Sequence, residues 1–279
     1  MKFEKMHAAG NDYIYINLFE ERIEDPAALS RKLSDRHFGV GGDGVVLIGP
    51  SEVGDFSMRM FNADGSEGLM CGNAARCVGK YLYERGLTNK REIALQTLSG
   101  IKQLQLTVAD GCNQVIQVRV DMGPAMTDGS LMQPPQSLLS EIVEHPLEAA
   151  GARYPVTFIS MGNPHVVIFN EEIDKLDLPL IGRVIEHHPL FPQRTNVEFL
   201  EIISPSELRM RVWERGSGET LACGSGACAA LAAAVLTGRA DPAALVHLRG
   251  GDLRVEWDRE QNRVFLTGDA HFVFKGEVH

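Results

Sequence analysis

The sequence predicts an α+β fold made of two similar domains, each a curved, mainly antiparallel sheet around one central helix. Strand-like segments greatly outnumber helix-like ones, and several landmarks recur at one fixed spacing. One helix-like segment, "GSGACAALAAAVLTG", is apolar on almost every face. Such a helix must be buried all round, and a sheet wrapped around it would bury it. Two domains of this kind would leave an active-site cleft between them.

The fixed spacing is 152 residues, and it relates the first half of the chain to the second. It takes Cys71 to Cys223, and it takes Gly10-Asn11 to Gly162-Asn163. The same offset joins further pairs in order along the chain: Glu67 and Glu219, Leu69 and Leu221, Ala75 and Ala227, Gly86 and Gly238, Ile93 and Leu245. Chance matches among common residues explain one such pair but not an ordered set. We therefore infer an internal duplication.

The duplication sets the predicted domains. Residues 1–122 form the N-terminal half, joined by the final strand at about 269–279, and residues 123–268 form the C-terminal half. The segments "GNAARCVGKYLYERG" and "GSGACAALAAAVLTG" are predicted helices that end at Gly86 and Gly238. The start of the stretch between the two halves is rich in Pro, Gly and Ser, which predicts a linker and a short helix.

The strands are predicted from short runs of alternating or β-branched apolar residues. In the first half they are "YIYINLF", "VVLI", "FSMRMFN", "EIALQTL", "IKQLQLTV" and "VIQVRVDM". In the second half they are "VTFISM", "HVVIF", "NVEFLEII", "LRMRVWE", "LVHLRG", "LRVEW", "RVFLTG" and "HFVFKG".

The composition excludes several classes of function. A formal net charge of −10 argues against a general nucleic-acid binder, and no stretch approaches the roughly 20 apolar residues that a membrane helix needs. The N-terminal stretch has no long apolar core of a secretory signal, which favours a cytoplasmic location. Five cysteines without a C-x-x-C pair, and no H-E-x-x-H motif, predict neither a disulfide scaffold nor a metal site.

Cys71 and Cys223 each stand directly before a predicted helix. The first N–H groups of a helix lack partners and carry partial positive charge, so they can bind a carboxylate and make a nearby thiol more acidic. If the two helix starts face each other, one thiolate can remove the proton from an α-carbon while the opposite thiol protonates the other face. This chemistry inverts a stereocentre without a cofactor. Cys77, Cys112 and Cys228 are expected to be structural.

The motifs "HAAGNDYI", "GVGGDG", "FNADGSE", "MCGNAARC", "GNPH", "TNVEF" and "WERGSGETLACGSGACA" together resemble those of the diaminopimelate epimerase family. The resemblance runs from about residue 5 to the end of the chain. It implies cofactor-independent epimerisation of LL-2,6-diaminopimelate to the meso form, in the synthesis of lysine and peptidoglycan precursors. It also implies a small-molecule substrate, a cytosolic or plastid location and a homodimer.

The resemblance assigns a role to individual residues. Cys71 and Cys223 would be the acid/base pair, and His165 and Glu214 would tune the pKa of their thiols. Gly72-Asn73 and Gly224-Ser225 would hold the reacting carboxylate. The remaining substrate contacts would come from polar residues that suit an amino-acid end, with Glu214 among them: Asn11, Asn62, Asn163, Asn196 and Arg215. Gly44, Ala74 and Ser225 depart from residues common in the family.

Two other functions fit the same residues. A related cofactor-independent racemase, for instance one acting on histidine, would share the two helix starts and differ in the pocket that binds the rest of the substrate. A non-catalytic carboxylate-binding or thiol-redox protein would keep Cys71 and Cys223 without proton transfer, and the two could form a reversible disulfide. Exchange of the substrate α-hydrogen in heavy water separates catalysis from binding.

Overall fold

The described residues, 1–127 and 142–278, fold into two units in the computed structural model. Unit 1 comprises Met1–Asp121 and Thr267–His279, and unit 2 comprises Met122–Leu266. Most of the predicted linker, residues 128–141, lies outside the described residues. Among the described residues, no helix has the length and apolar character needed to span a bilayer.

Unit 1 contains two helices, and strands come before and after each of them in the sequence. Its elements are β1 (Lys2–Ala8), β2 (Asn11–Asn17), α1 (Pro26–Ser34), β3 (Gly44–Gly49), β4 (Phe56–Asn62), β5 (Glu67–Gly68), α2 (Gly72–Glu84), β6 (Glu92–Thr97), β7 (Gly100–Val108), β8 (Val115–Gly123) and β18 (His271–Glu277). Strands β2 and β3 pair in parallel, as do β4 and β6. The pairs β1–β18, β1–β2, β3–β4, β6–β7 and β7–β8 are antiparallel.

Unit 2 repeats this order. Its elements are β9 (His145–Ala149), β10 (Ala152–Ser160), β11 (Pro164–Phe169), α3 (Leu178–Glu186), β12 (Asn196–Ser204), β13 (Glu207–Glu214), β14 (Gly218–Thr220), α4 (Gly224–Leu236), β15 (Ala243–Leu248), β16 (Gly251–Asp258) and β17 (Arg263–Gly268), with a short 3₁₀ turn at Ile173–Lys175. Strand β9 pairs with β10 as β18 pairs with β1. The two parallel pairs, β11–β12 and β13–β15, also recur in the same places.

The bounds of the helices show the duplication directly. Helices α2 and α4 are offset by 152 residues at both ends, and so are α1 and α3. Gly86 and Gly238, the predicted stops, have φ angles of 72° and 69° directly after the C-cap residues. Glycine adopts this left-handed conformation readily, which ends each helix. The prediction of a two-domain α+β fold is confirmed.

Helix α4 forms the centre of unit 2. Every residue from 226 to 235 is buried, as the all-round apolar sequence predicts. The helix packs against six strands of its unit: β10, β11, β12, β13, β15 and β16. Helix α2 is buried over residues 72–82 in unit 1, although it carries Arg76 and Lys80.

Two helices, α1 and α3, were not predicted from the sequence, and neither were strands β1, β5, β9 and β14. Helices α1 and α3 have only nine residues each, and they depend on local signals rather than on a long apolar face. The side chains of Asp25 and Asp177 cap them by accepting backbone N–H bonds, and each has a proline in its first turn.

The predicted linker and short helix are wrong for residues 145–149. These residues form β9, in which His145, Leu147 and Ala149 are buried in alternation. That alternation of buried and exposed side chains is typical of a strand that packs against the core with one face only. Leu147 and Ala149 join the hydrophobic core of unit 2.

Candidate active site

Cys71 is the N-cap residue of α2, and its backbone is extended. The sulfur lies 3.4 Å from the side-chain oxygen of Asn11, at the start of β2. The same oxygen accepts a hydrogen bond from the amide of Asn73 at 3.4 Å. Three predicted site residues of unit 1 therefore meet at one amide oxygen.

Two charged residues hold this group in place. Asp43 accepts a 2.7 Å hydrogen bond from the Asn11 amide nitrogen, which turns the Asn11 oxygen toward Cys71. Behind the helix start, the fully buried guanidinium of Arg76 donates to Asn73 at 2.9 Å. Burial lowers the pKa of Arg76, while the neighbouring sulfurs of Cys77 and Cys71 oppose that change. The group around Cys71 thus has a buried cation next to it.

Cys223 is the N-cap residue of α4 and is 7% exposed. Its sulfur accepts a hydrogen bond from the Gly226 N–H at 3.3 Å and lies 3.6 Å from the Ser225 hydroxyl. The Asn163 amide nitrogen donates to the same hydroxyl at 3.4 Å. Cys223, Ser225 and Asn163 therefore form one hydrogen-bonded group, as Cys71, Asn73 and Asn11 do in unit 1.

A buried pair continues this group into the protein. The Asn163 oxygen lies 3.0 Å from Nε2 of His165, and Nδ1 of His165 lies 2.7 Å from the Glu198 carboxylate. The side chains of His165 and Glu198 have no exposed surface. His165 therefore touches Asn163 and Glu198, and its link to Cys223 passes through Asn163 and Ser225.

Glu214 lies at the end of β13, and its carboxylate accepts a hydrogen bond from the Thr220 hydroxyl. Burial raises the pKa of Glu214, and the nearby Glu198 charge raises it further. Burial also raises the pKa of the Cys223 thiol well above its ordinary value, with Glu214 and Glu198 adding to the increase. The expectation of a more acidic thiol is wrong for Cys223, because desolvation outweighs the bonds from Ser225 and Gly226.

The helix starts themselves present backbone donors. The first intrahelical bonds run from Ala75 N–H to the Cys71 carbonyl and from Ala227 N–H to the Cys223 carbonyl, both at 2.9 Å. The N–H groups of Gly72 and Gly224 precede those bonds, so they point beyond the helix, where an anion binds favourably.

The other predicted residues make contacts within their own units. Asn62 donates to the Ser66 hydroxyl at 3.0 Å in unit 1. In unit 2, Asn196 is 5% exposed, donates to the Pro164 carbonyl at 2.8 Å and accepts from the Arg215 N–H at 3.0 Å. Asn196 thus fixes the backbone around Arg215, and the substrate contacts of all these residues stay predictions.

The sequence analysis missed three residues that contact these two groups: Asp43 and Arg76 in unit 1 and Glu198 in unit 2. All three occur inside the quoted motifs, yet none was singled out. Glu198 had a visible signal, since it is the one acidic residue inside the apolar run "NVEFL". Within residues 1–127 and 142–278, no three or more His, Cys, Asp or Glu side chains are grouped to hold a metal ion.

Comparison with known proteins identifies the family. The diaminopimelate epimerase family model matches residues 3–127 and 157–273. A diaminopimelate epimerase of Acetivibrio thermocellus is 55% identical over all of this chain and 98% of its own length. One of Methanococcus maripaludis is 50% identical over all of this chain and 99% of its own length. The chain belongs to the diaminopimelate epimerase family.

Solved structures show how widely the fold of this family is shared. A phenazine biosynthesis protein of the PhzF family from Bacillus anthracis is similar with a TM-score of 0.72, at 18% identity over 100% of this chain and 99% of its own. A hydroxyproline epimerase from Agrobacterium vitis has a TM-score of 0.69, at 15% identity over 100% of this chain and 90% of its own. At such low identity the likeness concerns the fold alone.

Proposed function

We propose that this protein epimerises LL-2,6-diaminopimelate to meso-diaminopimelate, as an isomerase of lysine and peptidoglycan-precursor synthesis. Curated relatives named for that activity support the proposal, because they match the chain over its whole length at about half of all positions. The observation that carries the chemistry recurs in both units: a cysteine at a helix start shares one hydrogen-bonded group with an asparagine amide, directly in unit 1 and through Ser225 in unit 2.

The proposed reaction uses Cys71 and Cys223 as a pair on opposite faces of the substrate α-carbon. One sulfur, as thiolate, takes the α-proton, and the other sulfur, as thiol, delivers a proton to the opposite face. The two sulfurs exchange roles in the reverse direction, so no cofactor is needed. The raised pKa of Cys223 supports its role as the thiol that delivers a proton.

The negative charge that develops during proton removal needs stabilisation. We assign this to the N–H groups at the starts of α2 and α4, which would bind the carboxylate next to the reacting carbon. The charge flows onto that carboxylate when the α-proton leaves. The amino-acid end far from the reacting carbon would be bound by Asn62, Asn163, Asn196 and Arg215. Glu214 could accept a hydrogen bond from its ammonium group.

The test follows substrate α-hydrogen exchange in heavy water together with turnover of LL-diaminopimelate. We expect exchange and epimerisation in the wild type, and a loss of at least about 10² in epimerisation for Cys71→Ala and for Cys223→Ala, the scale of general acid–base catalysis. Cys112→Ala is the control, because Cys112 is exposed and lies in the connection between β7 and β8.

Each alternative function gives a different result. Wild-type turnover of L-histidine or L-proline, but not of LL-diaminopimelate, would assign another substrate to the same chemistry. Absence of any α-hydrogen exchange would leave a binding or redox protein. Full turnover in either cysteine variant would exclude the two-base scheme.

We also propose a cytoplasmic homodimer. Strand β18 supports the dimer, because it exposes Val273 and Phe274 to 54% and 48%. Consecutive side chains of a strand lie on opposite faces, so both faces of β18 offer apolar surface to a partner. Sedimentation analysis of Phe274→Lys should show monomers where the wild type is dimeric, and an unchanged dimer would locate the interface elsewhere.

A further inference from the structure

Arg76 is a buried cation of unit 1, and the proposed reaction gives it no contact with the substrate. Its side chain lies on α2 with no exposed surface. Nη2 donates to the side-chain oxygen of Asn73 at 2.9 Å, and Nε donates to the backbone carbonyl of Asp269 at 3.1 Å. Within the described part of the chain, the Nη1 atom is buried without a hydrogen-bond partner. Burying a charged group is costly, so its retention in the core indicates a role.

The two ends of one hydrogen-bond chain fix the direction of the bonds between them. Arginine has donors only, so the Asn73 atom that faces Arg76 is the amide oxygen. An ionised carboxylate such as that of Asp43 has acceptors only, so the Asn11 atom that faces it is the amide nitrogen. Between these ends, the Asn73 nitrogen donates to the Asn11 oxygen at 3.4 Å. The bond from Arg76 is the shorter of the two bonds to Asn73, so it is the stronger constraint on that amide.

This orientation leaves a donor at the start of α2. The Asn73 amide nitrogen carries two hydrogens, and in the described part of the chain it donates to Asn11. The oxygen of Asn11 that accepts this bond also lies 3.4 Å from the Cys71 sulfur. The second amide hydrogen is therefore available to a ligand close to Cys71. A carboxylate bound at the helix start supplies the acceptor that it needs.

Unit 2 provides an internal comparison. The offset of 152 residues relates Asn73 to Ser225. It also relates Arg76 to Cys228, so α4 has neither the amide nor the arginine. A serine hydroxyl can rotate between donating and accepting, whereas an amide has its donor and its acceptor on opposite arms. Only the amide needs a partner that fixes which arm faces a ligand, and the arginine occurs in the unit that has the amide.

We propose that Arg76 is a positioning residue that binds the Asn73 oxygen, so that an amide N–H of Asn73 faces the carboxylate next to the carbon on which Cys71 acts. The role in epimerisation rests on the proposed function, whereas the binding of a carboxylate beside Cys71 does not. The positive charge at the amide oxygen also polarises the amide, which strengthens its N–H as a donor. Without Arg76, the buried Asn73 oxygen loses its partner, and the amide turns away from the carboxylate to find another.

Two alkylating reagents test this role without a substrate. Iodoacetate and iodoacetamide both react with a thiolate by displacement of iodide, but only iodoacetate has a carboxylate. That carboxylate is bonded to the attacked carbon, as the substrate carboxylate is bonded to the α-carbon. The ratio of the two rates at Cys71 therefore reports the donors that a carboxylate meets there, because the ionised fraction of the thiol cancels. Peptide mass spectrometry on the full chain gives this ratio for each cysteine, with the exposed Cys112 as internal reference.

We expect Arg76→Met to lower the ratio of the iodoacetate rate to the iodoacetamide rate at Cys71 by about tenfold, the effect of one charge-assisted hydrogen bond. Asn73→Ala removes the donor itself and should lower the ratio by a similar factor. In the Asn73→Ala background, Arg76→Met should then lower it no further. An unchanged ratio in Arg76→Met overturns the proposal. Equal losses in both backgrounds also overturn it, because Arg76 would then act by its charge alone.

Lys80→Met is the matched control. Lys80 is also a buried cation on α2, but it bonds to Glu84 and to the Val115 carbonyl. We expect the ratio at Cys71 to keep its wild-type value in this variant. A loss as large as that in Arg76→Met would show that any disturbance of α2 has the same effect, and it would overturn the role of Arg76.

Arg76→Lys keeps the proposal falsifiable if Arg76→Met does not fold. It retains a cation but replaces the fork of donors that serves Asn73 and Asp269 at once. We expect the ratio at Cys71 to fall by about fivefold, the effect of one hydrogen bond. An undiminished ratio would assign the effect to charge and overturn the proposal. The readout needs no substrate, so its failure is distinct from a failure of the proposed epimerase activity.

Discussion

The starts of α2 and α4 have the same N-cap cysteine and a nearby asparagine amide, but they differ in the residues that surround these groups. In unit 1, the Asn11 amide is oriented by Asp43, a carboxylate at 40% exposure. In unit 2, the equivalent Asn163 amide is oriented by His165, which in turn contacts the fully buried Glu198. The duplication therefore kept the cysteine and the asparagine, whereas the groups that orient the asparagine diverged.

The charges near the two sulfurs also differ. The buried cation Arg76 lies near Cys71, whereas the fully buried Glu198 and the partly buried Glu214 lie near Cys223. A cation favours a thiolate, and a carboxylate disfavours it. This difference in charge suits the proposed reaction, in which one sulfur begins as the base and the other as the acid.

The largest expected effect concerns the residue that follows each helix start by three positions. Gly226 and Ala74 occupy equivalent positions, but a Cβ atom at 226 would lie 2.7 Å from Glu198 and 3.3 Å from the Cys223 sulfur. We expect Gly226→Ala to lower the free energy of unfolding by about 2 kcal/mol, through overpacking. Ala74→Gly should cost about 1 kcal/mol or less, the difference in helix propensity.

Urea unfolding of the two variants measures this difference. The comparison fails if Gly226→Ala is as stable as the wild type, since the close approach of Glu198 to α4 would then have no energetic consequence.

The second effect concerns the reactivity of the two thiols. We expect iodoacetamide to modify Cys71 more than about tenfold faster than Cys223 at pH 8, because only the thiolate reacts and Cys223 is more buried. The raised pKa means that Cys223 stays protonated through its ordinary value of 9.0, so its rate should still rise with pH above that point. Peptide mass spectrometry over a pH series measures both rates.

Cys77 provides a scale for this series. Burial raises its pKa to about 12, so it should stay unmodified while the native fold persists. A Cys223 rate that levels off below pH 9, or that equals the Cys71 rate, would show that the two sulfurs have similar surroundings in solution.

The smallest effect tests the exposed orienting group of unit 1. Asp43→Ala removes the acceptor for the Asn11 amide nitrogen. We expect kcat/KM for LL-diaminopimelate to fall about fivefold, because one hydrogen bond contributes about 1 kcal/mol net. Arg36→Ala is the control, since it pairs with Asp43 and Asp12 at the surface but does not contact Asn11. Equal losses in both variants would trace the effect to the surface ion pairs.

Features that depend on neighbours in the sequence were predictable. A cysteine before a glycine and an apolar helix, and a glycine that ends that helix, are visible as letters, and the duplication shows each of them twice. The all-round burial of α4 follows from its composition. Helices α1 and α3 were missed because their stability depends on caps such as Asp25 more than on apolar periodicity.

Features that depend on distant pairing were not predictable. Glu198 contacts His165 across 33 positions because β11 and β12 run in parallel at one register. Burial and the carboxyl groups on β12 and β13 raise the pKa of Cys223. The N–H groups at the helix start lower that pKa by less. The position of a helix start can therefore be predicted from neighbouring residues. The burial and the charges around its cysteine depend on how the whole unit folds.

The pairing of β18 with β1 has a consequence for synthesis on the ribosome. Met1 and Val278 exchange backbone hydrogen bonds at 2.7 and 2.9 Å, so unit 1 is completed by residues translated after all of unit 2. Until then β1 presents a bare edge, the kind of surface at which nascent chains join one another. Unit 2 has its equivalent strand, β9, directly before β10, and it can close first.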